Sequence, residues 1–219
     1  MTIKRVKTGI KGFDELIEGG FPEGNCILLT GTPGTGKTIF GLQFLYNGVV
    51  KYKEKGLFVS IGTPVKAIAE QASLFGWDIR PLDRRGDLQL LYLSTKSLDQ
   101  NIASIIGEKV KKDNIKRLVI DSVSILAINA PLYRSLIDIS VVELVRQKSI
   151  FAPPVMGDTI VKKFIYGFIE DTRSLGVTSV LISESSEKGE FLSRDTISEF
   201  VCDGIIPVSY THLTLPTKA

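Results

Sequence analysis

The sequence has few of the residues on which metal and histidine chemistry depend. Its 219 residues include one histidine and two cysteines, Cys26 and Cys202, which lie far apart and lack CxxC spacing. This usage gives no support for a zinc site and favours a reducing, cytoplasmic location. No apolar run is long enough to span a membrane, and the first eleven residues lack the apolar stretch of a signal peptide. We therefore expect a soluble protein without a membrane partner.

A strong excess of charge of one sign is also lacking. The 27 Lys and Arg residues are nearly balanced by 24 Asp and Glu residues, and the formal net charge is +3. Basic residues cluster at positions 4–11 and 109–117, which we interpret as a solvated face and as a helix C-terminus whose dipole favours cations. The small and dispersed charge argues against a nucleic-acid partner.

The C-terminal segment Pro207–Thr217, PVSYTHLTLPT, resembles a translated sequencing-library adapter over its whole length. We interpret residues 207–219 as a non-native tail and residues 1–206 as a single domain that is incomplete at its C-terminus. The alternative is a genuine threonine-rich tail. Excluding the tail removes His212, the single histidine, and with it any histidine-based catalysis or metal binding.

Short apolar runs alternate along the chain with segments of helical periodicity. Strands are predicted at Ile27–Thr30, Gly56–Ile61, Leu88–Leu93, Arg117–Asp121, Thr178–Ser183 and Asp203–Ile206. Helices are predicted at Thr38–Val50, Pro64–Phe75, Leu98–Lys112, Tyr133–Lys148 and Ile160–Leu175. Strands that are apolar on both faces indicate a parallel sheet covered by helices on both sides, and thus a doubly wound α/β fold.

Two stretches fit this alternation less well. Ile150–Asp158 contains Pro153, Pro154 and Gly157, which predict a loop or lid between two helices. Glu184–Ser198 is polar, and we predict an exposed hairpin or loop there, before the last short strand.

The strongest functional signal is a complete GxxxxGK[ST] motif between a predicted strand and a predicted helix. It reads Gly31-Thr32-Pro33-Gly34-Thr35-Gly36-Lys37-Thr38. The glycines let backbone N–H groups turn inward, and the helix N-terminus adds positive potential, so the loop forms a nest for a polyphosphate. We expect Lys37 to neutralise the β- and γ-phosphates of ATP and the Thr38 hydroxyl to bind Mg²⁺. The alternative is a glycine-rich turn with an incidental lysine.

A second feature agrees with this phosphate site. The apolar run Leu118–Ile120 ends in Asp121, which places a carboxylate at the carboxyl end of a strand, where open α/β sheets bind ligands. This is the Walker B arrangement, in which Asp121 holds the Mg²⁺ shell opposite Thr38. An Asp at a strand end is also a common capping residue, and the pairing with the phosphate loop favours the metal role.

Three further motifs resemble the KaiC family of RecA-superfamily ATPases. They are Lys7–Leu16 (KTGIKGFDEL), Gly19–Gly24 (GGFPEG) and Phe75–Asp78 (FGWD), and the resemblance extends over residues 6–206. It implies a RecA-like P-loop fold and ATP bound at the boundaries between subunits of a homo-oligomeric ring, usually a hexamer. It also implies that Ser183 and Glu184 occupy a γ-phosphate sensor position.

The chain departs from the family at the catalytic carboxylates. In the family, the strand after the P-loop helix usually ends in two glutamates and a proline, which orient the attacking water. Here Gly62 and Thr63 precede Pro64, and neither can act as a base. We therefore expect ATP binding with slow or absent hydrolysis. The alternative is a shifted register in which Glu70, or an acid from a neighbouring subunit, serves instead.

Three functions remain open at this point. The first is a Mg·ATP-binding KaiC-like ATPase domain that lacks the family's C-terminal basic residues, which act on the neighbouring subunit. The second is a nucleotide-gated module for a signalling partner, and the third is a RadA-like recombinase or helicase relative, which the modest charge argues against. Phe13, Phe21 and Trp77 could contact adenine or a neighbouring subunit, but core packing is the simpler role for each.

Overall fold

The computed structural model describes residues 3–95, 98, 102–129, 154–185 and 191–209. In chain order the elements are β1 Arg5–Val6, α1 Phe13–Leu16, β2 Phe21–Pro22, β3 Cys26–Gly31, α2 Lys37–Tyr52, β4 Gly56–Ile61, α3 Val65–Ser73, α4 Arg80–Arg85, β5 Leu88–Leu93, α5 Ile102–Asp113, β6 Arg117–Asp121, α6 Val123–Asn129, α7 Pro154–Ser174, β7 Thr178–Glu184, α8 Ser198–Val201 and β8 Gly204–Val208.

Six of the strands form one parallel sheet in the order β5-β4-β6-β7-β3-β8. The short strands β1 and β2 pair antiparallel and stand apart from it. This arrangement confirms the predicted α/β class with a mostly parallel sheet. Since all six strands run in one direction, their carboxyl ends meet at one edge, and the loops that follow β3, β4, β6 and β7 gather there.

The sheet separates two apolar layers, because successive side chains of a strand point to opposite faces. In β6, Leu118 and Ile120 pack in the layer that contains α5 and α7, whereas Val119 packs in the layer that contains α2. The same alternation directs Asp121 toward α2. That helix approaches the sheet closely at Gly41, where an added Cβ would lie 2.8 Å from Val119 Cγ1. The close approach sets α2, and the loop before it, against the ends of the central strands.

The predicted strands lie within two residues of the observed ones at each end, and three of them, β4, β5 and β6, have the predicted bounds. The short helices α4 and α6 were not predicted, and the helix predicted at Tyr133–Lys148 lies outside the described residues. The N-terminal pair β1 and β2 was not predicted either, since two-residue strands carry no periodic signal.

The loop predicted at Ile150–Asp158 was wrong for its second half. Helix α7 begins at Pro154 and continues through Gly157. Proline has no backbone N–H, but the first turn of a helix has no intrahelical partner for that group, so Pro154 is tolerated there. The proline marks the start of the helix rather than a break in it.

The hairpin or loop predicted at Glu184–Ser198 is a loop at residue 185 and over residues 191–197, but it is only partly exposed. Glu184 is the last residue of β7, and Ser193, Asp195 and Ser198 are buried. Asp195 Oδ1 accepts hydrogen bonds from the backbone N–H groups of Ile197 (3.0 Å) and Ser198 (2.7 Å). The polar side chains of this segment therefore do not all face solvent. The carboxylate of Asp195 instead bonds to backbone N–H groups of the turn that begins α8.

The last strand, β8, extends beyond the predicted Asp203–Ile206. It runs from Gly204 to Val208 and pairs Pro207 with Thr30 and Val208 with Gly31. Strand pairing uses backbone groups, so this extension is independent of the origin of residues 207–219, and the boundary at residue 206 stays a prediction. Within the described ranges, none of the helices combines the length and the apolar character that a bilayer crossing requires.

Candidate phosphate-binding site

The GxxxxGK[ST] motif forms the turn from β3 to α2. Gly31 ends β3 and Lys37 begins the sixteen-residue helix α2. Gly34 (φ +84°) and Gly36 (φ +89°) adopt left-handed backbone conformations, which are accessible to glycine without steric strain. The loop thereby doubles back over the first turn of α2, where the backbone N–H groups and the helix dipole favour an anion.

Lys37 lies across the mouth of this loop. Its Nζ donates hydrogen bonds to the carbonyl oxygens of Gly31 (2.7 Å) and Thr32 (2.8 Å). Burial lowers the pKa of the Lys37 ammonium, and the nearby carboxylates of Glu184 and Asp121 oppose that shift. The ammonium group of Lys37 therefore lies at the loop in which it is predicted to bind phosphate.

Thr38 and Asp121 meet, although they are distant in sequence. Thr38 Oγ1 donates a hydrogen bond to Asp121 Oδ2 at 2.6 Å. Burial raises the pKa of the Asp121 carboxyl, while the Thr38 hydrogen bond and the charge of Lys37 lower it. The two residues predicted to share a magnesium ion thus present two oxygen donors side by side, and hard oxygen donors are the ligands that Mg²⁺ prefers.

Ser183 and Glu184, the predicted sensor pair, point in opposite directions. Ser183 is fully buried, and its Oγ lies 3.1 Å from the Oγ of Ser124 in α6, on the face of the sheet away from α2. Ser124 Oγ also accepts the backbone N–H of Glu184 at 2.8 Å. Strand alternation turns the hydroxyl of Ser183 away from the phosphate loop, so this geometry lends no support to a direct contact with the γ-phosphate. Of the two residues, only Glu184 lies on the face of the sheet that carries the phosphate loop. It pairs in register with Gly31, where β7 lies beside β3.

Gly62 and Thr63 follow β4, two strands away from β7. Gly62 has φ +84°, a left-handed conformation, and its N–H donates to the Leu93 carbonyl at 2.9 Å. The hydroxyl of Ser60 donates to the Thr63 carbonyl at 2.7 Å. The turn is thus shaped around a glycine, and neither residue 62 nor residue 63 brings a carboxylate to the edge of the sheet.

Glu70 is the alternative carboxylate considered from the sequence. It lies well inside α3 and faces Lys66 on the exposed surface of that helix, with 3.8 Å between Glu70 Oε1 and Lys66 Nζ. A neighbouring subunit remains the other source considered from the sequence.

Two residues beside the site were not predicted. Ser60 is buried and pairs in register with Asp121, on the same face of the sheet. Strand alternation in the sequence could have revealed it, since β4 and β6 were both recognised. Arg194 forms an ion pair with Glu184, and its Nη1 lies 3.0 Å from Glu184 Oε2. No sequence signal pointed to Arg194, because it follows a turn that only the folded chain brings back to β7.

The aromatic residues considered as base or subunit contacts pack internally. The ring of Phe13 makes edge contacts with those of Phe21 and Phe40, with centroids 6.0 and 5.1 Å apart. Trp77 stacks on Tyr46, with ring centroids 5.8 Å apart. Core packing is confirmed for Phe13, Phe21 and Trp77, which all belong to or pack against the layer around α2.

A phosphate loop between β3 and α2, with an aspartate at the end of the strand two places away in the sheet, defines a P-loop protein with a RecA-like fold. Within that class, the description "ATPase: KaiC" belongs to the family whose sequence model matches residues 6–152. The chain belongs to the KaiC family of ATPases.

Individual relatives agree with this assignment. A UPF0273 protein of Methanocaldococcus jannaschii is 38% identical over 146 residues, which cover 59% of this chain and 60% of the relative. The circadian clock oscillator protein KaiC of Parathermosynechococcus lividus is 31% identical over 213 residues, which cover 93% of this chain and 35% of the relative. The chain thus spans only part of the length of these curated relatives.

A solved structure has the same fold. The crystal structure of a KaiC-like protein from Pyrococcus horikoshii superimposes with a TM-score of 0.71 and 34% sequence identity. The superposition covers 94% of this chain and 81% of that protein. The likeness therefore includes nearly all of the present chain.

Proposed function

We propose that this chain is a Mg·ATP-binding KaiC-like ATPase domain that hydrolyses ATP slowly or not at all. The observation that carries the proposal is the 2.6 Å contact between Thr38 Oγ1 and Asp121 Oδ2, formed beside the phosphate loop. It joins the last residue of the GxxxxGK[ST] motif to the carboxylate of a neighbouring strand, which is the arrangement that a nucleotide-bound metal ion requires.

Phosphate binding would rest on the loop from Gly31 to Lys37 and on the start of α2. Lys37 is held by two carbonyl oxygens and can exchange them for phosphate oxygens without a change of backbone. The N-terminus of a sixteen-residue helix adds the positive end of its dipole at the same place. Together they favour a polyanion over a neutral ligand.

A magnesium ion fits the donor set of Thr38 and Asp121. Both donors are oxygens, and a protein usually gives Mg²⁺ only one or two ligands while phosphate and water complete the octahedron. When bound, the ion would neutralise phosphate charge. Among the described residues, no group of three or more His, Cys, Asp or Glu side chains is arranged to hold a metal ion by itself, and this donor set does not need one.

Slow turnover follows from the turn after β4. A positioned general base contributes about 10²- to 10⁴-fold to a rate, which corresponds to roughly 3–5.5 kcal/mol of barrier. Gly62 and Thr63 offer no carboxylate for this task. Phosphate and metal binding do not depend on such a base, so affinity is retained while the chemical step suffers.

The test is a titration of the protein with a fluorescent ATP analogue in the presence of Mg²⁺, combined with a phosphate-release assay. We expect micromolar or tighter binding by the wild type and a large loss in Lys37→Ala. Lys66→Ala, a matched change at an exposed lysine of α3, is expected to bind like the wild type. Equal and weak binding by wild type and Lys37→Ala would refute the proposed phosphate site.

We also propose assembly with further copies of the chain, as the family resemblance implies, and a cytoplasmic location. Two apolar side chains at the end of α3 support a covered surface there: Leu74 is 84% exposed and Phe75 is 52% exposed. Large exposed apolar side chains that lie together are typical of interaction surfaces. Ring size is tested by light scattering with and without Mg·ATP.

A nucleotide-gated interaction module is the second candidate, and the missing carboxylates at positions 62 and 63 favour it. In that case nucleotide occupancy, rather than turnover, would stabilise the surface that a signalling partner binds. Measurable phosphate release that is lost in Lys37→Ala would favour the ATPase, whereas its absence fits both candidates, and ATP-dependent capture of a partner would then favour the module. Salt-dependent binding to single-stranded DNA would instead favour the RadA-like alternative.

A further inference from the structure

An arginine is fixed beside the phosphate loop on the side of β7. Arg194 holds Glu184 through two contacts, one from its backbone N–H to the Glu184 carbonyl (2.8 Å) and one from Nη1 to Oε2 (3.0 Å). Side-chain exposure is 56% for Arg194 and 39% for Glu184, so the pair lies at the surface of the site. The double contact fixes the position of the guanidinium relative to the end of the strand.

The turn that carries Arg194 is anchored on both sides. Before it, the Leu192 carbonyl accepts a hydrogen bond from the hydroxyl of Thr30 in β3. The backbone N–H of Ser193, just before Arg194, donates to Glu199 Oε2 at 2.6 Å, and just after Arg194 the buried Asp195 is bonded to the first turn of α8. Arg194 is therefore presented by a fixed turn and not by a loose loop.

Glu184 occupies an unfavourable place for a lone carboxylate in a polyphosphate site. It pairs in register with Gly31, the first residue of the phosphate loop, and the next backbone N–H, that of Ser185, donates to the Gly31 carbonyl at 3.1 Å. Its negative charge opposes the lowering of the pKa of Lys37 by burial and adds to the raising of the pKa of Asp121, so it acts on both groups. An unpaired carboxylate there would repel the charges of ATP.

We propose that Arg194 is a positioning residue of the nucleotide site, which neutralises Glu184 and holds its carboxylate so that a nucleoside triphosphate can bind beside it. This role rests on the proposed function, since it acts on the same phosphate site. Arg194 acts through Glu184 rather than as a ligand of the phosphates. The cation comes from the same chain as the phosphate loop.

The role predicts a specific pattern of rescue. Arg194→Gln leaves Glu184 unpaired, and we expect it to weaken Mg·ATP binding roughly tenfold at low salt, with a smaller effect at about 0.5 M salt. Arg194→Lys keeps the charge and is expected to retain most of the affinity. Arg194→Gln combined with Glu184→Gln removes both charges and is expected to restore binding to near the wild-type value.

The experiment is a titration of each variant with a fluorescent ATP analogue and Mg²⁺, with the melting temperature measured in parallel. Arg85→Gln is the matched control, because Arg85 also forms an exposed ion pair, with Asp87 at 2.9 Å, but at the opposite end of the strands. It is expected to bind like the wild type. A double variant that binds as weakly as Arg194→Gln would overturn the proposal, since Arg194 would then act without Glu184.

Three further outcomes are decisive, and the last two separate this inference from the proposed function. If Arg194→Gln does not fold, Glu184→Gln alone decides: it leaves the charge of Arg194 uncompensated, so tighter Mg·ATP binding at low salt supports the role, and unchanged or weaker binding overturns it. If wild type and Lys37→Ala bind equally weakly, the phosphate site itself is wrong. If Lys37→Ala loses binding while every Arg194 variant binds like the wild type, only the role of Arg194 is refuted.

Discussion

The hydroxyl of Thr38 donates a 2.6 Å hydrogen bond to Oδ2 of Asp121, a residue 83 positions later in the chain. The contact is a consequence of strand order. Strand β7 lies between β3 and β6, and α2 crosses over it so that the start of the helix reaches the end of β6. Crossover connections of this kind bring a helix N-terminus and a strand end to one edge of the sheet.

Asp121→Asn should separate metal-dependent binding from stability. We expect ATP affinity in the presence of Mg²⁺ to fall on the order of tenfold, because the amide is a weaker ligand than the carboxylate. Affinity measured in EDTA should change little. A variant whose affinity is unchanged in Mg²⁺ would contradict the metal role of Asp121.

The same substitution should stabilise the protein without ligand. Burial raises the pKa of Asp121, so the charged carboxylate opposes folding at pH values above that raised pKa. Protonation removes this penalty as the pH falls through the raised pKa. We therefore expect Asp121→Asn to melt a few degrees higher than the wild type at neutral pH, with a difference that shrinks in acid. A lower melting temperature at neutral pH would contradict this reasoning.

Thr63→Glu should raise the rate of ATP hydrolysis. It returns one carboxylate to the turn after β4, and we expect a gain of about tenfold or more, within the range that a positioned base supplies. Thr63→Gln is the isosteric control and should not gain activity. No gain in Thr63→Glu would show that the missing carboxylate does not limit turnover.

Position 62 is a poor place to restore a second glutamate. Gly62 has φ +84°, and an added Cβ would lie 3.3 Å from Thr95 Cγ2. A non-glycine residue in this left-handed conformation costs about 1–2 kcal/mol. We expect Gly62→Glu added to Thr63→Glu to lower the melting temperature, and Gly62→Ala to lower it by a similar amount, as thermal unfolding can test.

The sequence predicted those parts of the fold and site that rest on local pattern. The strands β4, β5 and β6 are short apolar runs with clear ends, and the phosphate loop is specified by its glycines and by Lys37. Apart from the pairing of Thr38 with Asp121, which the two motifs together imply, properties set by tertiary contacts were missed. The ion pair of Arg194 with Glu184 and the bond of Ser124 to Ser183 join segments whose proximity depends on strand order and on turn geometry.

Leu74→Ser should weaken assembly of the chain with further copies. Leu74 is 84% exposed at the end of α3, so its removal costs little in the fold of one subunit but removes apolar area from the proposed contact surface. Leu16, which is 81% exposed at the end of α1, provides the matched control. We expect Leu74→Ser to shift the mass measured by light scattering in Mg·ATP toward smaller species, whereas Leu16→Ser should not. Equal masses for wild type and Leu74→Ser would remove Leu74 from the contact.

Arg117 should be critical for stability and neutral for nucleotide binding. It begins β6 at the end opposite Asp121, and its side chain is 1% exposed. Its Nε donates to Glu54 Oε2 at 2.6 Å, and its Cζ lies 4.7 Å from the centre of the Phe44 ring. Burial lowers the pKa of this guanidinium, and Glu54 opposes the shift.

Glu54→Ala leaves the buried charge of Arg117 without its carboxylate, and we expect a loss on the order of 2 kcal/mol in urea unfolding, less than for a fully buried pair because the side chain of Glu54 is 34% exposed. Arg117→Met combined with Glu54→Gln removes both charges while keeping much of the side-chain volume, so it should recover part of that loss. The folded fraction of each variant should bind Mg·ATP like the wild type, because the pair lies at the amino ends of the strands. If Glu54→Ala unfolds at the same urea concentration as the wild type, solvent rather than Glu54 compensates the buried charge, and the ion pair contributes nothing to the fold.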